Sequence, residues 1–189
     1  MKKKIIVALL ILVAFVGSAS AFDFMSAADG IKDSSIFVNI GVGIGALSPY
    51  EMIIPPLTAS VEYMLPIGIP LSLGGFFSFA LNGDGNKSTY RGYYQDTVMA
   101  FGLKGAWHID LGLKNLDLYI HVVLGYMLWE RTNEYTYWST PYKATYTYDT
   151  FYYGAGVGVR FFFTDAIGVW LEAGYSALTF ASLGLALKF

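Results

Sequence analysis

The chain of 189 residues contains no cysteine, so no disulfide can support its fold. It also has few charged residues, 14% against roughly a quarter in typical soluble domains. Such a chain has too little charge to cover a water-exposed surface. It is not basic enough for a nucleic-acid partner and not polar enough for a disordered protein. Apolar residues instead make up 55% of the chain and aromatic residues 17%.

The first residues have the three parts of a secretory signal peptide. A basic stretch, Lys2 to Lys4, precedes the apolar stretch Ile5 to Val16, and Ala19 to Ala21 has the small-x-small pattern of a cleavage site. The apolar stretch is shorter than the ~20 residues of a membrane-spanning helix. We therefore expect cleavage after residue 21, a short periplasmic segment at 22–34 and one domain at 35–189. Without a cysteine, the signal cannot be of the lipoprotein type.

One long uncharged run, Tyr63 to Gly83, could be mistaken for a transmembrane helix. It contains Pro66, Pro70 and several glycines, which disfavour helix. Its apolar residues alternate with small or polar ones, which is the period of a β-strand. The run therefore predicts two strands joined by a turn.

The same alternation recurs along the chain. In the first segment, Val38 and Ile40 lie on one face, and Asn39 and Gly41 lie on the other. The pattern predicts an all-β protein with eight antiparallel strands in an up-and-down barrel. The predicted strands are 35–47, 57–65, 69–81, 95–109, 116–131, 148–163, 167–177 and 182–189.

The two faces of these strands differ in composition, and the difference decides between kinds of barrel. We expect the apolar face to carry no charge within any strand. The opposite face collects small residues and the charged or titratable residues Glu62, Lys104, His108, His121, Arg160, Glu172 and Lys188. A soluble, lipocalin-like barrel would need this sparsely charged face outside, which matches water poorly. A transmembrane barrel with a lipid-facing apolar belt and a narrow polar lumen fits better.

The lengths of the connections alternate. Short turns are predicted at 66–68, 110–115 and 164–166. Longer loops are predicted at 48–56, 82–94 and 132–147, with a tight fourth one near 178–181. In outer-membrane barrels the short turns are periplasmic and the long loops extracellular.

The last strand ends on an aromatic residue preceded by leucines at alternate positions, Leu183, Leu185, Leu187 and Phe189. With the eight predicted strands, this ending resembles the small eight-stranded outer-membrane barrels of diderm bacteria, the group of the OmpA transmembrane domain and its OmpX-like and OmpW-like relatives. The resemblance implies insertion into the outer membrane, contact with its lipids, and handling by periplasmic chaperones and the barrel-assembly machinery. It also implies that the C-terminal ladder is the signal which that machinery reads.

The inward charges could meet at one level of the lumen. Buried charges are tolerated when they are paired, so we expect a network of Glu62, Lys104, His121, Arg160, Glu172 and Lys188. The resemblance to the OmpA domain, with its interior ionic cluster, implies a gate whose pairs can exchange. A static network that fills a tube too narrow for a pore is the interpretation we favour.

The third long loop is rich in aromatic residues that favour contacts with partners or headgroups. They are Tyr135, Tyr137, Trp138, Tyr142 and Tyr146. We therefore predict a non-enzymatic barrel that displays tyrosine-rich loops, with an envelope-integrity or surface-contact role. A narrow channel or binder of small or apolar molecules is the first alternative, and a lipid A-modifying enzyme is the second.

The sequence indicates no catalytic or metal-binding site. The chain has two histidines, His108 and His121, both predicted to point inward, and no motif places a serine beside either. The segment "NGDGN" from Asn82 lacks the glycine and the acidic residue of a calcium loop. We predict no catalytic residue, no metal and no cofactor.

Overall fold

The protein is a closed barrel of eight antiparallel strands in which each strand pairs with its neighbours in sequence and β8 pairs with β1. The computed structural model describes residues 26–27, 31, 33–45, 52–83, 93–137, 140–176 and 178–189. The predicted signal peptide, most of segment 22–34 and Trp138 lie outside the described residues. The strands are β1 Ile36–Gly45, β2 Met52–Met64, β3 Leu71–Gly83, β4 Tyr93–Ile109, β5 Leu116–Tyr137, β6 Thr140–Phe162, β7 Ile167–Ser176 and β8 Thr179–Lys188. In this described part of the chain, no helix is long and apolar enough to cross a membrane.

The pleat of the strands separates the two faces as the alternation predicts. Phe37 pairs with Glu62 and both point into the barrel, whereas the adjacent pair of Val38 and Val61 points outward. The outward face is covered with exposed aliphatic and aromatic side chains, such as Leu103, which is 71% exposed. Exposure of so many large apolar groups is unfavourable in water and favourable in lipid.

The prediction of an uncharged outward face is wrong at two positions. Glu130 in β5 and Asp149 in β6 both share the outward parity of their strands, and both are exposed. They lie far from the short turns, where β5 and β6 have risen past the apolar belt. The hydroxyl of Tyr126, which lies on the neighbouring strand β5 and nearer to the short turns, donates a hydrogen bond to Asp149. These two carboxylates mark the limit of the apolar face on the side away from the short turns.

The C-terminal residue completes the barrel. The backbone N–H of Phe189 donates to the carbonyl of Ile36 at 2.9 Å, and the N–H of Ile36 donates to the carbonyl of Phe189 at 2.9 Å. Leu183, Leu185 and Phe189 are exposed on the outward face. Pairing with β1 therefore holds the chain in place up to its last residue.

Short turns connect the strands at one end, which we call the turn end. Two of these turns contain glycines with positive φ, Gly68 at 74° and Gly112 at 68°, a conformation that other residues adopt at a cost. The carboxylate of Asp110 accepts a hydrogen bond from the N–H of Gly112 at 2.8 Å. The side-chain hydroxyl of Thr164 accepts one from the N–H of Ile167 at 3.0 Å.

At the opposite end, the loop end, β2 to β6 and β8 extend beyond their predicted bounds. The predicted loop 132–147 is largely strand, because β5 and β6 stay paired as far as Tyr137 and Thr140. β2 begins at Met52, ahead of the predicted Leu57, and its register with β3 shifts twice before Leu57. In the described part of the chain, the barrel therefore extends into a two-stranded hairpin formed by β5 and β6.

Candidate functional site

The lumen holds a layer of buried ion pairs at its middle. Glu62 of β2 lies at the centre, with its Oε1 2.5 Å from Nη2 of Arg160 on β6 and 3.1 Å from Nζ of Lys104 on β4. Arg160 also binds Asp117 of β5, with 2.7 Å between Nη1 and Oδ2. Lys104 pairs in addition with Glu172 of β7. Five strands thus contribute to one continuous network.

Uncharged side chains complete the coordination of these charges. Asn39 of β1 donates to Oε1 of Glu62 at 3.0 Å and accepts from Nε of Arg160 at 3.1 Å. The hydroxyl of Tyr119 donates to Glu172 at 2.7 Å. The guanidinium carbon of Arg160 lies 4.1 Å from the centroid of the Tyr119 ring, which adds a cation–π contact. Burying an unpaired charge costs free energy. These contacts give each charge a partner and so explain why the layer can exist inside the barrel.

His108 joins the network through a chain of hydrogen bonds. Its Nδ1 lies 2.7 Å from Oδ1 of Asp117, and its Nε2 lies 2.9 Å from the hydroxyl of Ser72. That hydroxyl also donates to Oε2 of Glu62 at 3.2 Å. No sequence motif indicates this contact, because Ser72 and His108 come together through the pairing of β3 with β4.

Serine, histidine and aspartate follow one another here in the order of a hydrolase triad. Ser72 and His108 are 0% exposed and Asp117 is 1% exposed, so no substrate reaches the hydroxyl. Ser72 lies inside a strand paired on both sides, where ladder hydrogen bonds occupy the backbone N–H groups that an oxyanion hole would need. The arrangement therefore links Asp117 to Glu62 and does not support acyl transfer.

Two of the predicted network residues occupy other environments. Lys188 points inward near the turn end, with Nζ 4.4 Å from the centroid of the Phe162 ring. His121 is buried in the lumen beside Tyr119, and neither of its ring nitrogens has a hydrogen-bond partner among the described residues. Ion pairing in this layer is therefore carried by Glu62, Lys104, Arg160 and Glu172 of the predicted set, together with Asp117.

Apolar layers close the lumen on both sides of the ion pairs. The layer at the turn end consists of buried side chains from five strands, and Ala27 and Ile31 of the N-terminal segment pack against it. Its members are Phe37, Met64, Phe162, Trp170 and Ala186. The layer at the loop end is larger and includes half-buried Met127 and Trp129. Its buried members are Phe76, Ala80, Val98, Ala100, Val123, Tyr152 and Leu178. Between them, the two layers cover the ion pairs from both mouths, and within the ion-paired layer Glu172 is the most exposed, at 9%.

The hairpin formed by β5 and β6 has two unlike faces. The face that continues the lumen side carries exposed aromatic rings, and Tyr135 stacks on Tyr142 with 5.5 Å between centroids. The other face carries threonines and the ion pair of Lys143 with Glu134, at 3.3 Å. We call the first of these the tyrosine face; its described members are Tyr135, Tyr142, Tyr146 and Tyr148. Tyr137 ends β5, and Trp138 lies outside the described residues.

At the base of the hairpin, Arg131 is held at the mouth of the barrel. Its guanidinium binds the carboxylate of Asp96 with two hydrogen bonds of 2.7 Å. The guanidinium carbon lies 5.2 Å from the centroid of the Trp129 ring and 5.8 Å from that of the Tyr94 ring. These contacts fix the hairpin to the upper part of β4. In the described part of the chain, no three metal-ligating residues form a group that could hold an ion.

Comparison with known proteins identifies the fold. No family model matches the sequence, and no curated protein matches it. Among solved structures, the chain is similar to Ail, the attachment invasion locus protein of Yersinia pestis, in complex with the heparin analogue sucrose octasulfate. The TM-score is 0.52 and the sequence identity 12%, and the match covers 84% of this chain and 100% of that chain. A major outer membrane protein from Thermus thermophilus is similar at 0.51 and 14% identity, over 84% of this chain and 100% of that chain. The chain has the fold of the small eight-stranded outer-membrane barrels.

With this fold in place, the network residues absent from the prediction are those whose role depends on neighbouring strands. Asp117 has the inward parity of β5, and that pattern could have identified it. Asn39 and Tyr119 also point inward, but nothing in their local sequence distinguishes a network member from a residue that only fills space. Ser72 becomes significant only because His108 lies on the adjacent strand.

Proposed function

We propose that the protein is a sealed, non-enzymatic barrel of the outer membrane that anchors the β5–β6 hairpin above the lipid. The observation that carries this proposal is the layered lumen, in which apolar side chains close both sides of the ion-paired layer. A solute would have to displace both layers and separate buried ion pairs in order to pass. The proposal therefore does not assign conduction or binding of small molecules to the lumen.

The outward surface supports a membrane location. Below Glu130 and Asp149, the outward face is aliphatic and aromatic, which suits hydrocarbon. Aromatic residues cluster on the outward face at the turn end, where Phe161 and Phe163 are exposed and in contact, with ring centroids 5.4 Å apart. Such clusters are typical of the interface between lipid and water. We expect the turn end to lie in the periplasm and the hairpin outside the cell.

The hairpin supports a surface-contact role. It carries tyrosines and threonines that remain exposed, although large rings are usually buried where no partner is needed. The Yersinia barrel was solved with a polyanionic sugar. The described hairpin of this chain has Glu130, Glu134 and Asp149 against Arg131 and Lys143, so we do not assign it a polyanionic ligand.

Two measurements test the proposal. After residues 22–189 are refolded from urea into detergent micelles, we expect strand-type circular dichroism and an SDS-gel mobility shift that is lost on boiling. After reconstitution into a planar bilayer, we expect no steady conductance. A protein that folds in plain buffer would contradict the membrane location. Steady openings that change in Glu62→Gln would instead indicate the narrow channel.

Lipid A modification is tested separately. Mass spectrometry of lipid A from cells expressing the protein should show no change in acylation. A changed acyl pattern that disappears in Ser72→Ala would overturn the non-enzymatic assignment.

A further inference from the structure

The tyrosine face has a gap in its row of aromatic rings. Tyr142 and Tyr146 of β6 are four residues apart, which places their Cα atoms about 13 Å from each other along the strand. Both side chains stand on this face, 58% and 49% exposed. Between them β6 places the methyl group of Ala144 on the same side, and β5 contributes Asn133 as its strand partner. The two rings therefore form the walls of a slot whose floor is Ala144 and Asn133.

Neighbouring residues hold the walls of the slot in position. Tyr142 stacks on Tyr135 of β5, with 5.5 Å between ring centroids and 17° between ring planes. On the other wall, Tyr146 is the strand partner of Arg131, whose guanidinium is fixed by two hydrogen bonds to Asp96. The slot is thus formed before any ligand arrives, so a ligand that fits it has little ordering of the protein to bring about.

The tyrosine face carries almost no net charge. Among the described residues that the hairpin places on this face, Arg131 is the one with a charge, and Asp96 of β4 balances it. Lys143 and Glu134 pair with each other on the opposite face. What the tyrosine face offers is ring surface, hydroxyl donors and the amide of Asn133. A partner that complements it is uncharged, rigid and rich in hydrogen-bond acceptors.

A proline-rich segment in the polyproline II conformation has these properties. Its backbone makes no internal hydrogen bonds, so its carbonyl groups remain free to accept from tyrosine hydroxyls. Its prolines have no N–H and a fixed φ, so the segment needs few acceptors from its partner and loses little conformational entropy on binding. Grooves lined with aromatic rings are a general means of recognising such segments.

We propose that the tyrosine face binds a proline-rich segment of another protein in the polyproline II conformation, with one proline ring in the slot between Tyr142 and Tyr146. The segment crosses the hairpin over Ala144, and its carbonyl groups accept hydrogen bonds from tyrosine hydroxyls and from the Asn133 amide. It lies on the face of the sheet and forms no backbone ladder with β6. This inference rests on the proposed function, since it requires the hairpin to stand clear of the lipid.

A saccharide is the other class of ligand that stacks on aromatic rings, and it matches this face less well. Its hydroxyl groups donate as well as accept hydrogen bonds, so a saccharide site needs free acceptors. Both carboxylate oxygens of Asp96 already accept from Arg131, at 2.7 Å each. Among the described residues of the slot, this leaves the amide oxygen of Asn133 as the one side-chain carbonyl acceptor.

The experiment uses the folded barrel in micelles and a fluorescein-labelled decaproline peptide, with a glycine–serine peptide of equal length as the control ligand. We expect a saturable rise in fluorescence anisotropy with decaproline alone. Tyr146→Ser removes one wall of the slot and should weaken binding about tenfold. Ala144→Leu fills the slot while both walls remain, and it should also weaken binding about tenfold. Its matched control, Thr145→Leu, adds the same side chain on the opposite face and should bind within about twofold of the parent.

Each outcome is decisive once the mobility shift shows that every variant is folded. Absence of saturable binding, or equal binding of the two peptides, overturns this proposal while the sealed barrel stands. Equal affinities of Ala144→Leu and Thr145→Leu also overturn it, because the slot would then not be the binding site. Displacement of the labelled peptide by maltohexaose, at concentrations where unlabelled decaproline does not displace it, would assign the face to a saccharide instead. Loss of the mobility shift in the parent chain would refute the proposed function, and this inference with it.

Discussion

Arg160 and Glu62 are adjacent in the lumen, with 2.5 Å between Nη2 and Oε1, although 98 residues separate them in the chain and both side chains are completely buried. Removing one partner would leave the other charge buried without compensation. We expect Arg160→Met to lower the free energy of unfolding by about 3–5 kcal/mol. Urea titration in lipid vesicles, followed by tryptophan fluorescence, measures the change.

Two further variants show whether pairing is the cause. The double variant Arg160→Met/Glu62→Gln removes both charges, so its loss should be clearly smaller than the sum of the two single losses. The exposed pair of Lys143 and Glu134 on the hairpin serves as a reference, and Lys143→Met should cost at most about 1 kcal/mol. Additive losses at Arg160 and Glu62 would mean that the two charges do not stabilise each other.

Ser72 offers a second test, because its hydroxyl joins His108 to Glu62. Ser72→Ala leaves two buried polar groups short of a partner, and we expect a loss of about 1–3 kcal/mol in the free energy of unfolding. Ser78 is a matched control on the same face of β3, since its hydroxyl makes one longer bond of 3.4 Å to Thr58. Equal effects of Ser72→Ala and Ser78→Ala in the same urea titration would argue against the linking role of Ser72.

Strand number and facing could be predicted from the sequence because they depend on local alternation. Val38 is apolar and points outward, whereas Asn39 is polar and points into the lumen. This alternation is visible in the local sequence, without knowledge of any distant residue. The up-and-down order agrees with the short turns predicted between alternate strands, since short turns join antiparallel neighbours. These properties lie within a single strand or a single connection.

Network membership could not be predicted in the same way, because it depends on how neighbouring strands are staggered. Counting residues from the turns brings Glu62 and Arg160 to similar levels, but it does not reveal that Asp117 shares Arg160 with Glu62. The hairpin was underestimated for a different reason. Beyond Arg131 the strands leave the apolar belt, so the apolar alternation stops while the backbone ladder continues.

Gly158 illustrates how tightly the lumen is packed. A Cβ atom built on Gly158 would overlap with the ring of Tyr119, whose hydroxyl binds Glu172. Gly158→Ala should therefore displace Tyr119 and cost about 1–3 kcal/mol. At Gly105, on the outward face, the nearest atom to such a Cβ is the flexible end of Leu73 at 3.3 Å. Gly105→Ala should be tolerated, and a similar loss in both variants, measured by the same urea titration, would show that lumen packing is not the cause.

The terminal aromatic residue provides the last test, which concerns assembly in the cell. Phe189 is 71% exposed on the outward face, and its backbone pairs with Ile36 to close the barrel. Phe163 is also exposed at the turn end, at 62%, and precedes β7. If the C-terminal ladder is the signal for the assembly machinery, Phe189→Ser should reduce the heat-modifiable protein in outer-membrane fractions several-fold, whereas Phe163→Ser should not. Both variants should refold in micelles, because each loses only one outward ring. Equal reductions in cells would assign the effect to the aromatic girdle as a whole and would leave the ladder without a separate role.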